Sequence, residues 1–372
     1  MKPNTLKIII YLLGIVCLCT FIAIRVPSFF NLLAKDKVIP EYWENTKYGE
    51  LYNFNRVNHF KEDLPPSGIK YRFTEKHPDI HEADILSFGD SFFDFARIPT
   101  FPERLGDTLH KRVFYARYDF PLNTLAEENY QKGSSRVFIY ETAERYIPHR
   151  FSKPHENQYK PDTRSELRKR LASIWNTVFT KDSEVRYSLL LTRSYPTYRI
   201  YSAIATLKFD AFGYIAETTP VYALNQEVPW LFYYEEVNDD NTSFYYQHSN
   251  AEIETYCDNI ADLRKKLKEQ YNLDMLFFPM PCKYTVYHKF LNQDPYNNLL
   301  PRIYKGLEKR GVPVIKLYDD YMQSTEILYF GTDTHWNEKG INIALSKTLD
   351  LLKRYEPGFI ALDSIDRTNT LN

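Results

Sequence analysis

Glycine is scarce in this chain, with 12 in 372 residues, so a glycine closing an apolar run marks a turn that requires one. No basic cluster stands out and the net charge is −1. A nucleic-acid partner needs a concentrated positive face, so that class is set aside. His, Cys and carboxylate residues nowhere show metal-ligand spacing, and neither a metal nor another cofactor is expected. Cysteines number four. Cys17 and Cys19 lie in an apolar run without the small residues that precede a lipidated cysteine. Cys257 and Cys282 either pair in an oxidising compartment or stay two buried thiols. Internal repeats and low-complexity tracts are also missing.

What is there fits a folded globular protein: hydrophobic residues make up 44% and charged residues 26%, too apolar for disorder. The length exceeds one typical domain, so a core of roughly 200–250 residues with an insertion or second lobe is expected. Tyr reaches 31, a surplus that suits a surface stacking on sugars or packing on a partner. Ile8 to Ile24 is apolar apart from Tyr11, Gly14 and Thr20. Lys2 and Lys7 precede it, which favours a cytoplasmic N-terminus, although Arg25, Lys35 and Lys37 follow. No small-x-small cleavage site follows, so residues 1–28 read as an uncleaved transmembrane helix rather than a signal peptide.

Residues 29–80, rich in Pro, Asn and Tyr, read as a stem. Strand–helix alternation then begins. Asp84 to Phe88 is a buried strand, Pro102 to Lys111 a helix and Val113 to Tyr118 a strand. Asn123 caps a helix to about Gln131, and Arg136 to Tyr140 is a strand followed by a helical stretch that Pro148 stops. Residues 151–250 break the rhythm and read as an insertion, with an amphipathic helix over Thr163 to Thr177, an apolar stretch from Tyr187 to Ile204 and aromatic clusters between Pro220 and Gln247. The alternation resumes with a helix over Ala251 to Tyr271, a strand over Asp274 to Phe278, a helix from Asn297 to Arg310 ended by Gly311, a strand over Val312 to Leu317 and a last helix to Tyr355. This predicts an α/β fold, a three-layer arrangement around a mostly parallel sheet formed by 81–150 and 251–360.

Two short segments could carry chemistry. Ser91, in Phe88-Gly89-Asp90-Ser91-Phe92-Phe93, follows the first buried strand, where ligands meet parallel sheets and free amides face a developing oxyanion. Taken singly, it is more readily a helix-capping serine. His335, in Gly331-Thr332-Asp333-Thr334-His335-Trp336-Asn337, precedes the last helix. Asp333 lies two residues before it, so both side chains can project to one side of an extended loop, the carboxylate setting the imidazole tautomer as a general base needs. Taken singly, His335 is as readily a core histidine.

Ser first and Asp/His last is the chain order of the SGNH (GDSL-type) hydrolase superfamily, which the chain resembles over roughly 84–150 and 251–355. The Asp-Thr-His-Trp string resembles, more specifically, the SGNH-like domains of alginate O-acetylation proteins. So do Phe278-Pro279-Met280-Pro281-Cys282-Lys283-Tyr284 with Tyr287, and Glu141-Thr142-Ala143-Glu144-Arg145-Tyr146. In the alginate proteins the Asp-x-His motif precedes the serine; here it follows, an order shared by the membrane-anchored accessory protein of teichoic-acid D-alanylation. Ordinary SGNH enzymes place two residues between Asp and His and take oxyanion donors from a Gly and a Gly-x-Asn-Asp block. This chain has Thr334 alone and no such block. Its candidate oxyanion or substrate-binding groups are Asp90, the Ser91 amide, Asn123, Arg145, Lys283 and Trp336.

The resemblance implies an extracytoplasmic O-acyltransferase, acetyl being the expected group, acting on an exported or cell-envelope polysaccharide from the bacterial cytoplasmic membrane. Acetyl-coenzyme A is not expected outside the cytoplasm, so a multi-pass membrane acyltransferase is the implied donor partner, with the anchor helix and the apolar 187–204 stretch as docking surfaces. An esterase using the same triad and a non-catalytic glycan-binding subunit are the alternatives.

Overall fold

The computed structural model describes residues 3–25, 48–64, 78–94, 98–117, 120–131, 136–160, 163–179, 195–224, 228–291 and 295–355. In chain order these hold helices α1 (Pro3–Arg25) and α2 (Glu50–Asn55), strand β1 (Ile85–Gly89), α3 (Phe101–Leu109), β2 (Val113–Arg117), α4 (Pro121–Glu127), β3 (Val137–Ala143) and α5 (Ile147–Phe151). There follow α6 (Glu166–Phe179), α7 (Tyr195–Phe212), β4 (Val221–Ala223), β5 (Trp230–Phe232), α8 (Asn250–Tyr271), β6 (Asp274–Met280), α9 (Lys283–Tyr287), α10 (Leu299–Lys309), α11 (Tyr318–Gln323) and α12 (Glu338–Tyr355). The chain divides into two compact units, Met1–Asp63 with Pro161–Ile215, and Leu64–Lys160 with Ala216–Asn372.

The larger unit is built on a parallel sheet in the order β2-β1-β3-β6. Its strands are the short apolar runs of the sequence. Every position of β1 and β3 is buried, which requires cover on both faces of the sheet and explains why these strands read as continuous rather than alternating apolar segments. Helices α5, α8 and α10 pack as one group, and α3 packs with α12. Two capping boxes start helices where the sequence changes period: Thr100 with Glu103 for α3, and Ser249 with Glu252 for α8, where the serine hydroxyl accepts from the Glu252 amide at 3.2 Å. Gly311, at φ +65°, follows α10 where a left-handed residue closes the helix. β4 and β5 form a separate antiparallel pair.

Several local expectations change. The expected strand over Val312 to Leu317 is reduced to one parallel bridge, Phe277 with Val314, held by Phe277 N to Pro313 O and Ile315 N to Phe277 O, each 2.9 Å. Pro148 does not stop a helix; it sits in the first turn of α5, where its missing N–H costs nothing. Asn123 does not cap α4; the cap position is Phe120 and Pro121 opens the helix. β3 runs three residues past its expected end at Tyr140 and β6 two past Phe278, because they pair with one another up to Ala143 and Met280. Cys257 and Cys282 are both free and buried. Residues 216–250, expected within the insertion, fold into the larger unit: the Leu231 amide donates to Gly331 O at 2.9 Å.

The smaller unit contains α1, α2, α6 and α7. α7 buries Tyr198 and Ser202; the Ser202 hydroxyl donates to Arg56 O at 2.9 Å, and Thr206 Oγ1 accepts from the Asn58 amide at 3.0 Å. Helix α1 forms over the expected anchor segment, and residues 8–19 along it are exposed. Among the described residues no helix is long and apolar enough to cross a membrane. The stem expected over 29–80 lies largely outside the described residues, as does the apolar stretch up to residue 194.

Candidate active site

β1, β3 and β6 run parallel, so their carboxyl ends open on one edge of the sheet. Three loops leave that edge: Asp90–Ser91 after β1, Glu144–Arg145 after β3 and Pro281–Lys283 after β6. This is the edge at which parallel sheets meet their ligands.

The turn after β1 is fixed from beneath. Gly89 is obligatory there: a Cβ would stand 2.5 Å from Glu141 Oε2 and 3.0 Å from the Phe93 ring. Asp90, fully buried, is bound on every side. Its Oδ1 accepts from the Phe92 amide at 3.1 Å and its Oδ2 from the Ala143 amide at 2.8 Å. Its own amide donates to Glu141 Oε2 at 2.7 Å, and Arg150 Nη2 lies 3.8 Å from Oδ2. Burial alone would raise the Asp90 carboxyl, but Arg150 and the amides of Ala143 and Phe92 outweigh it and hold the group below its ordinary value. Burial, and then the neighbouring Asp90 charge, push Glu141 well above the carboxylate range. The two buried carboxyls are thus pushed in opposite directions, Asp90 toward the ionised form and Glu141 toward the protonated one. Glu141 Oε1 receives no hydrogen bond among the described residues, which a buried neutral acid tolerates better than a buried anion. Asp90 thus clamps the Ser91 turn to β3.

Ser91 itself is half-buried. The next residue, Phe92, packs its ring 5.2 Å from the His335 ring and 5.7 Å from Trp336. The two motifs, 244 positions apart by numbering (335 − 91), are thereby adjacent. No hydrogen bond between the Ser91 hydroxyl and His335 occurs among the described residues.

The loop carrying His335 is a narrow return. Phe330 N donates to His335 O at 3.1 Å and Asn337 N to Leu328 O at 2.8 Å, while Tyr329 and Trp336 form an antiparallel bridge. At its tip Asp333 Oδ1 meets His335 Nδ1 at 2.5 Å and accepts the His335 amide at 3.1 Å. Asp333 and His335 are both buried. A carboxylate on Nδ1 fixes the tautomer and leaves Nε2 as the basic nitrogen.

The remaining sequence candidates are occupied elsewhere. Lys283 is 1% exposed, and its ammonium donates to Leu231 O at 2.8 Å, Gly331 O at 2.6 Å and Asp333 O at 3.1 Å. It holds the backbone of the histidine loop; a buried ammonium is tolerable only with such acceptors. Arg145, also buried, donates to Glu236 Oε1 at 3.0 Å. Asn123 Oδ1 accepts from the Gln158 amide at 2.7 Å. Trp336 is fully buried among Phe92, Phe101 and Phe278. Glu141, Arg150, Leu231 and Glu236 were not singled out as site residues. Glu141 left one signal, a carboxylate directly after the apolar run Val137-Phe138-Ile139-Tyr140; Leu231 and Glu236 left none, because they lie in the block that read as an insertion.

Residues 227–365 match the family model described as the SGNH hydrolase-like domain of the acetyltransferase AlgX. That segment contains Lys283, Asp333, His335 and Trp336, while Ser91 and Asp90 lie outside it. No curated protein matches the chain, and no solved structure does.

Proposed function

With an SGNH-like domain of the alginate O-acetylation type as the premise, we propose that the chain is an O-acyltransferase that moves an acyl group, acetyl in the first instance, onto a polysaccharide hydroxyl outside the cytoplasm. The observation that carries this reading is the buried Asp333–His335 pair at 2.5 Å, set beside the turn that bears Ser91 at the carboxyl edge of the sheet.

His335 Nε2 takes the Ser91 proton as Oγ attacks the acyl carbonyl of the donor, and returns it to the departing donor oxygen. The acyl-serine ester is then attacked by a sugar hydroxyl, whose proton passes to His335 and back to Ser91. Asp333 stabilises the imidazolium formed in each half-reaction. The Ser91 amide is the candidate oxyanion donor, held by the Asp90 clamp. In this reading the Ser91–His335 hydrogen bond forms only in the reacting complex. Helix α1 is the membrane anchor of this reading, and a multi-pass acyltransferase its acyl donor.

An esterase would use the same residues with water as the acceptor. Incubating the purified chain with an acyl-ester donor and an oligosaccharide separates the readings. Acylated oligosaccharide is expected; free acid alone at every acceptor concentration would make the protein an esterase, and polymer acylation in cells left unchanged by Ser91→Ala would make the domain a non-catalytic subunit.

A further inference from the structure

Helix α6 belongs to the smaller unit and carries an apolar stripe on its outside. Leu167, Leu171 and Trp175 are four residues apart, hence on one face, and they are 68%, 56% and 62% exposed. At about 100° per residue Arg168 falls on one flank of that stripe and Arg170 on the other, and both are exposed. The far side holds the Glu166–Lys169 ion pair at 2.9 Å. The chain as a whole has a net charge of −1, so this basic-flanked stripe is a local feature.

Helix α7, in the same unit, repeats the pattern. It is already packed through Tyr198 and Ser202, yet Ile200, Ile204 and Leu207 stand 57%, 44% and 66% exposed on another face. The backbone of α6 also approaches that of α1, whose side chains from Ile8 to Leu18 are apolar and exposed. A helix with an apolar face, basic flanks and a tryptophan at its edge is built to lie in a lipid–water interface. Arginines on both flanks of the stripe match phosphate headgroups, not an apolar protein groove.

We propose that α6 lies along an anionic phospholipid surface, with Leu167, Leu171 and Trp175 among the upper acyl chains and Arg168 and Arg170 on headgroup phosphates. The lipid contact holds whether the Ser91 site transfers or hydrolyses. It gives the smaller unit a second membrane contact besides α1.

The test uses the full chain reconstituted into phosphatidylcholine–phosphatidylglycerol vesicles with bromine on the upper acyl chains. Tryptophan emission is compared between the wild type and Trp175→Phe, both carrying Trp43→Phe, since of the four tryptophans Trp230 and Trp336 are buried. The expected result is bromine-dependent quenching in the wild type, most of it lost in the variant, and a clear reduction in R168E/R170E. Equal quenching in wild type and W175F would overturn the proposal and leave the stripe to a protein partner or another segment of the chain. Undiminished quenching of R168E/R170E, or equal quenching on phosphatidylcholine alone, would overturn the role given to anionic headgroups.

Discussion

Replacing Asp90 and Glu141 one at a time separates an ionised carboxyl from a protonated one in the same buried pair. In Asp90→Asn the amide group can serve only one of the two backbone donors, Phe92 N or Ala143 N, and its NH2 is set against the other. Arg150, with its side chain 17% exposed, loses the negative partner 3.8 Å away. Breaking a buried charged pair from one side costs about 3–5 kcal/mol, and the lost charge-assisted hydrogen bonds, worth about 1.5–3 kcal/mol, are part of that sum rather than an addition. Glu141→Gln is the mild change. It keeps the oxygen that accepts the Asp90 amide at 2.7 Å and supplies an N–H where Glu141 held a proton, so a cost within about 1 kcal/mol is expected. Urea titrations at neutral pH read both values from the midpoints. The pH dependence has opposite signs for the two groups. Asp90, lowered in the fold, stabilises above the ordinary carboxylate range and loses that contribution as pH falls through its folded value. Glu141, raised in the fold, contributes fully below the ordinary range near ~4.3 and loses its contribution as pH rises from there toward its folded value. Relative to wild type, E141Q should therefore gain stability steadily with rising pH. Equal losses in D90N and E141Q, with no pH trend between E141Q and wild type, would refute the assignment of one proton to Glu141.

Lys283→Met leaves the carbonyls of Leu231, Gly331 and Asp333 without their shared donor. A loss of about 3–5 kcal/mol is expected, with hydrogen exchange of the Leu328–Asn337 amides rising before global unfolding; unchanged exchange there would contradict the clamp. Burial lifts Glu144 to about 7, against the Cys282 amide and the Tyr296 hydroxyl that lower it. Its contribution to stability is full below the unfolded carboxylate value near ~4.3 and falls between there and about 7. Glu144→Gln should flatten the stability–pH curve in that window, as read by thermal melts; an unaltered slope would place the titration elsewhere.

Much of the fold was legible because parallel strands covered on both faces appear as short, mainly apolar runs, and residues 85–88, 137–140 and 275–278 are such runs. The pairing of Asp333 with His335 was legible from their two-residue spacing, since a short return loop leaves few other arrangements. The strand at 312–317 was not, because sequence shows apolarity but not whether a segment has room to pair beyond one bridge. Arg145 and Lys283 were readable as functional cations, yet what they touch, Glu236 and the carbonyl of Leu231, lies in a block whose aromatic clusters resembled an insertion. A buried lysine on backbone carbonyls leaves no sequence trace at all, since its acceptors are carbonyls that any residue supplies. Asp90 read as a candidate oxyanion or substrate-binding group for the same reason: its partners are the amides of Phe92 and Ala143.

The central claim, that Ser91 is the residue acylated, is tested most directly by quenching a reaction of the full chain with an acyl-ester donor and mapping the adduct by mass spectrometry. The account predicts an acyl ester on the peptide containing Ser91, discharged by added oligosaccharide, absent in Ser91→Ala, and slowed by about 10²–10⁴-fold in Asp333→Asn, where the imidazole loses its orienting carboxylate. An adduct on another residue, or equal labelling of Ser91→Ala, would contradict it.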